Sequence, residues 1–248
     1  MGNGFNLSVV TRGRFKYQLF PLDFMAKFIC ETSLATPKNL PDYVKLKDTN
    51  LVIAREQSFN DMDFGTARAQ ALQEGTPMAS PAIFLPYRNE VMKAAHGDAT
   101  LYDGKGRRIT RKDAEKLAHL LTKDCVVWLD AQFHDSKEGM QIAYSRIKDA
   151  STIEEVTEAL QLKKNIRGDN LVDLVFNEQG MPVRKSRRQG FDARNNVCFY
   201  LPVDGSYVAV SMADAVGANL YCNGDRQYSN SALGVFACAA GAQKFLKR

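Results

Sequence analysis

The sequence predicts an α+β protein whose helices come early and whose strands and loops come late. Three observations carry that expectation. Apolar residues at helical spacing and helix-start signals recur up to about Leu162 and stop after Gly168. Alternating apolar residues then take over, in Val197, Phe199 and Leu201 and again in Val208, Val210 and Met212. From Tyr207 to Ser231 the chain is crowded with Tyr, Ser, Asn, Asp and Gly, a composition shared by turns and binding loops.

Taken in order, the aromatic-rich stretch Phe15 to Phe24 reads as a strand, followed by a helix through Cys30, and Pro37 and Pro41 punctuate a loop. Asn60 to Glu74 reads as a helix with Ala67, Ala71 and Leu72 on one side and Gly75 placed to end it. Pro81 opens a second helix through about Lys93, because proline is tolerated in a first helical turn. Tyr102 to Gly106 is a turn between extended pieces. Thr110 and Asp113 form a capping box for a helix carrying Ala114, Leu117, Leu120 and Leu121. Cys125 to Leu129 reads as a buried strand, and Met140, Ile142 and Tyr144 alternate as another. Ser151 and Glu154 form a second capping box, which predicts a helix through about Leu162 with Val156, Ala159 and Leu160 inward. Leu171 to Phe176 is extended, and Leu233 to Ala240 closes the chain as an apolar strand. The expected organisation is one domain over 1–248, with a helix-rich supporting part (1–168) and a strand-and-loop part (169–248).

The bulk properties are those of an ordinary globular chain. Its 248 residues, 45% hydrophobic and 25% charged, can bury a core without disulfides or metals. No apolar run reaches the roughly 18 residues that a membrane helix needs, so no span is expected. Arg12, Arg14 and Lys16 interrupt the N-terminal apolar region, which argues against a signal peptide. A cytoplasmic location is expected, with a cell-surface place or a leaderless export route as the alternative. The net charge of +5 permits nucleic-acid binding without demanding it. The basic run Arg184, Lys185, Ser186, Arg187, Arg188 lacks interleaved aromatics and reads as a solvated loop. The five cysteines, Cys30, Cys125, Cys198, Cys222 and Cys238, form no Cys-x-x-Cys pair and sit in apolar company. They read as buried thiols, and no zinc site is expected.

Catalytic signatures are missing from the chain. It carries no P-loop, no His-Glu-x-x-His and no Gly-x-Ser-x-Gly, and Gly104 and Gly106 belong to a turn. The three histidines are His96, His119 and His134. His134-Asp135 beside Asp130 makes a poor acid–base pair, because neighbours on a strand point opposite ways. Asn60, Asp61 and Asp63 read as a helix N-cap cluster rather than a cation site. No catalytic residue, metal or cofactor is expected, and the composition of Tyr207 to Ser231 fits a set of binding loops and a plain polar turn region equally.

One region carries a resemblance. Ala218-x-Leu220-x-Cys222, a polar stretch, and then Ser229-Asn230-Ser231-Ala232-Leu233-Gly234-Val235-Phe236-Ala237-Cys238-Ala239 resemble the end of the variable proteins of diversity-generating retroelements, the archaeal-type members in particular. The resemblance runs from about Asn195 to Gly241. It implies a C-type-lectin-like fold, related to that of the formylglycine-generating enzymes, whose last strand follows a hypervariable stretch. In that family a reverse transcriptase miscopies adenines, so AAC codons become codons ending in C. Such codons never encode Lys, Glu, Gln, Met or Trp. The implied contact residues are Tyr207, Ser211, Asp214, Val216, Asn219, Tyr221, Asn223, Asp225, Arg226, Tyr228, Ser229 and Asn230, and none is of those five types. Met212 and Gln227 lie in the segment, break the rule and stand outside the set. The implied ligand is a protein, with Tyr207, Tyr221 and Tyr228 as aromatic anchors and Asp225 and Arg226 tuning charge. Neither calcium nor carbohydrate is implied, since the segment has no evident acidic cluster. Two alternatives are a cysteine-dependent oxidase of the formylglycine-generating type using Cys222 and Cys238, and nucleic-acid binding through 184–188. The sequence specifies no oligomeric state.

Overall fold

The computed structural model describes residues 32–47, 49–122, 125–148, 152–166, 170–192, 194–202, 207–213, 218–229 and 231–241. Among these, the chain is mixed α+β. It starts with short strands β1 (Thr32–Ser33), β2 (Tyr43–Lys45) and β3 (Leu51–Ala54), followed by helices α1 (Phe64–Gln73), α2 (Pro81–His96) and α3 (Arg111–Leu120). Strands β4 (Cys125–Ser136), β5 (Gly139–Lys148), β6 (Thr152–Ala159), β7 (Asn170–Asp173), β8 (Asn196–Tyr200), β9 (Tyr207–Ala213), β10 (Ala218–Gly224), β11 (Leu233–Gly234) and β12 (Cys238–Ala240) complete the order.

The helix starts follow from local chemistry. The Asp63 carboxylate accepts the Thr66 N–H at 3.0 Å at the head of α1. The Thr110 hydroxyl accepts the Asp113 N–H at 3.2 Å at the head of α3, as the capping box predicts. Pro81 opens α2, which runs on to His96 and ends at a left-handed Gly97. Helix α1 begins at Phe64 rather than Asn60 because Phe59 and Asp61 adopt positive φ of 56° and 62°, which helical backbone cannot contain.

The helix expected from Ser151 to about Leu162 is instead strand β6. Thr152, Ile153, Val156 and Thr157 are β-branched, and the segment pairs with β5 from Lys148 opposite Thr152 to Gln141 opposite Ala159. A ladder of that length outweighs the local capping signal. The boundary between helices and strands therefore falls after α3, not at Gly168. The closing strand expected over Leu233 to Ala240 is two short strands separated by a bridged stretch. The expected elements between Phe15 and Cys30 lie outside the described residues.

The large sheet has the order β1-β6-β5-β4-β9-β10-β8-β7, and β11 pairs with β4 off that path. Strand β4 is long enough to serve two partners on one edge: β5 pairs with Gln132 to Ser136, and β11 runs parallel along Val126 and Val127. Strand β10 is antiparallel to β9 and parallel to β8. A smaller sheet has the order β12-β3-β2.

Alternation along the strands sends side chains to two sides. Val127, Leu129, Ala209, Leu220 and Phe199 join α2, α3 and Phe236 in the main core. Trp128 and Val208 join Phe64, Ala67 and Ala71 of α1, with Leu233 and Val235, in a second cluster. There Phe64 meets Trp128 edge to face at 5.8 Å, and the indole N–H donates to the Met62 carbonyl at 3.3 Å. No helix among the described residues is long and apolar enough to cross a membrane.

One buried ion pair fixes α1 to the sheet. Arg68 donates to Asp130 at 2.7 Å, to Glu155 at 2.6 Å and to the Ser145 hydroxyl at 3.3 Å. The second Asp130 oxygen accepts the Ser145 N–H at 2.8 Å, and the Asp130 side chain is 1% exposed. Burial opposes the Arg68 charge, but the Asp130 and Glu155 carboxylates outweigh it and hold the guanidinium above its ordinary pKa. Arg68→Met leaves the carboxylate buried and unpaired, and is expected to cost about 3–5 kcal/mol in denaturant unfolding. Adding Asp130→Leu to it should recover part of that loss. A double variant as unstable as the sum of the two single variants would contradict the pairing.

Candidate functional site

Burial changes abruptly along the C-terminal segment. Ala218, Leu220 and Cys222 are sealed in the core. Asn223, Asp225, Arg226, Gln227, Tyr228, Ser229, Ser231 and Ala232 are exposed, and every residue from Leu233 to Ala239 is buried again. An exposed loop therefore hangs between two buried anchors. Glycines hold both ends where backbones approach closely. A Cβ at Gly224 would lie 2.5 Å from Val210 Cγ2, and one at Gly234 would run into the Asn60 side chain and lie 3.0 Å from the Ser58 carbonyl.

The loop is also tied from below. The Phe64 N–H donates to the Arg226 carbonyl at 3.1 Å, which uses one of the free donors at the start of α1. Asp225 shapes the turn by accepting the Gln227 N–H on its carboxylate at 2.9 Å and the Tyr228 N–H on its carbonyl at 3.1 Å. Burial, with the Arg226 charge close by, pulls the His134 imidazole below its ordinary pKa. Asp225 and Arg226 thus stand at a turn of defined backbone, and the Tyr228 side chain is 53% exposed.

On the strand leading into the loop, Tyr221 stacks on Tyr200 of β8, with ring centroids 4.3 Å apart and an interplanar angle of 14°. The parallel register places these two residues opposite each other, with Asn219 opposite Cys198. Tyr200 was missed in the sequence. Its signal was its place in β8, where Val197 and Phe199 point into the core and leave Tyr200 on the other face. Gln227, excluded by the codon rule, is exposed in the same loop.

The structure therefore brings Asp225, Arg226, Tyr228 and Ser229 together on one loop, with Tyr221 and Asn223 on the adjoining strand β10. Tyr207 is half-buried at the start of β9, opposite Phe133. Ser211 and Asn219 are 3% and 7% exposed, because they sit mid-strand among close neighbours. They are not on display to a large partner. Asp214, Val216 and Asn230 lie outside the described residues.

The remaining candidates are taken up elsewhere. Cys222 and Cys238 are fully buried, and burial pushes both thiols far above their ordinary pKa, which disfavours the nucleophilic thiolate. Cys125 is pushed up to about 11 by burial, with nearby Arg88 working against it. In the basic run, Arg184 pairs with Asp173 at 2.7 Å and Arg188 with Asp192 at 3.4 Å, while Lys185 and Arg187 are exposed. Asp130 belongs to the Arg68 network rather than to a pair with His134. Asp63 caps α1, and among the described residues no three His, Cys, Asp or Glu side chains gather as a metal site requires. No family model matches the chain, and neither a curated protein nor a solved structure shows significant similarity to it.

The two tyrosines should separate in stability. Tyr228→Ala removes a largely exposed ring and should change unfolding free energy by less than about 0.5 kcal/mol. Tyr221→Ala removes a stacked, half-buried ring and should cost about 1–2 kcal/mol in the same urea titration. Equal losses would contradict the assignment of one ring to the exposed loop and the other to the packed strand beside it.

Proposed function

We propose that this protein is a diversified ligand-binding protein, a variable protein of a diversity-generating retroelement with a C-type-lectin-like domain, which recognises a protein partner. The observation that carries this reading is the exposed stretch from Asn223, near the end of β10, to Ser229, held between the largely buried Ala218–Cys222 and the buried Leu233–Ala239 segments. Such an arrangement lets side chains change at the surface while the core that positions them stays fixed. Tyr228 supplies a rigid aromatic surface, Asp225 and Arg226 supply opposite charges, and Asn223 and Ser229 supply adaptable hydrogen bonds. Tyr221, braced by Tyr200, extends that surface onto the strand. Ser211 and Asn219, being buried, act in this reading as support.

Sequencing the DNA that flanks the gene tests the proposal. The expected finding is a near-copy of the codons for 207–231 that differs almost only at adenines, beside a reverse-transcriptase gene. Flanking DNA without such a copy, together with identical loop codons across independent isolates, would overturn it.

A further inference from the structure

Away from that loop, a recess of about 320 Å³ is lined by Arg55, Asp103, Arg107, Arg108, Thr110 and Asp113 among others. Three guanidinium groups there meet two carboxylates, and both carboxylates are already engaged. Asp103 accepts the Lys105 and Arg107 N–H groups at 2.9 Å each and the Arg107 side chain at 2.8 Å. Burial works against the Asp103 charge, but these bonds outweigh it and hold the carboxyl below its usual range. Asp113 takes the Thr110 hydroxyl at 2.7 Å and Lys116 at 3.4 Å. Arg107 is spent on Asp103, while no salt bridge engages Arg55 or Arg108 among the described residues; the Thr110 hydroxyl, with Lys116 and the Arg55 charge, holds the Asp113 carboxyl below its usual range.

Arg55 is the unusual member. Its Nε is buried without a hydrogen-bond partner. The Tyr87 hydroxyl, also buried and unpartnered, lies near enough to be influenced by the Arg55 charge. A buried donor left unmatched is costly unless something satisfies it. Thr110 and Asp113, at the head of α3, line the same recess, and there the Thr110 hydroxyl and carbonyl already take the Asp113 and Ala114 N–H groups.

We propose that this recess binds a phosphate group, held by the Arg55 and Arg108 guanidinium groups. Two guanidinium groups from separate parts of the chain can approach a tetrahedral oxyanion from different sides, and Arg forks match its oxygens in pairs. The ligand class is a small phosphate-bearing molecule or the free ion. The site is independent of the binding loop and of its proposed function.

The test is a thermal-shift and calorimetric titration of the full chain with inorganic phosphate and, separately, with glycerol phosphate, against chloride at equal ionic strength. Phosphate should raise Tm dose-dependently where chloride does not. Tighter binding of the ester would assign the site to a phosphorylated metabolite, and tighter binding of inorganic phosphate to the free ion. Arg55→Gln should weaken binding at least tenfold. Arg108→Gln, at an exposed position, should weaken binding with the fold untouched, while Arg187→Gln should leave it unchanged. A shift reproduced by chloride, or a phosphate response retained in both Arg55→Gln and Arg108→Gln, would overturn the proposal.

Discussion

A buried segment has to satisfy its backbone polar groups inside the protein, and Leu233 to Ala240, buried up to Ala239, does so by bonding to widely separated parts of the chain. It runs parallel to β4 at Leu233 and Gly234. Val235 exchanges hydrogen bonds with Ser58, the Phe236 carbonyl accepts from Ala79, and the Ala237 carbonyl accepts from Ala54. Cys238 donates to Pro77, Ala240 donates to Ala35, and β12 completes the small sheet. The Phe236 ring meets Phe84 at 5.3 Å and Tyr87 at 6.2 Å, which binds the same segment to α2. Removing this thread would separate the two sheets and expose both core clusters at once.

The exposed loop depends on that thread. The diversified surface we propose needs a frame that does not change, and the buried frame begins within a few residues of the exposed positions. The chain leaves the core at Cys222, passes the close approach at Gly224, and re-enters at Leu233 through the close approach at Gly234. Between those points its contact with the rest of the protein includes a backbone bond, Phe64 N–H to the Arg226 carbonyl, which no side-chain substitution removes directly. The Arg68–Asp130 pair holds α1, and with it that donor, against the sheet.

Much of this was legible in the chain. The capping residues Asp63 and Thr110 and the helix-opening Pro81 announce the three helices, because those signals act over a single turn. The alternation in β8 and β9 identifies both strands. The Ser151–Glu154 pattern misleads for a reason of range: a cap is worth about 1 kcal/mol, and the full-length β5 ladder, invisible in local sequence, exceeds it. The burial of Ser211 and Asn219 likewise depends on non-adjacent strands, Val127 of β4 opposite Ser211 and Cys198 of β8 opposite Asn219. Composition identified the loop, since exposed Asn, Asp, Tyr and Ser cluster there. It could not identify Tyr200 or the Arg55 recess, which exist only once β8 lies beside β10 and β3 comes near the turn before α3.

The central claim is that a fixed, buried frame presents a loop whose side chains are free to change. The most direct test is a saturation scan of positions 218–240 scored for folded protein. The account predicts that Asn223, Asp225, Arg226, Gln227, Tyr228 and Ser229 accept most replacements, while Leu220, Cys222, Gly224 and Leu233 to Cys238 accept few. A loop as intolerant as its flanks would contradict it, and would make those residues part of the fold rather than of a recognition surface.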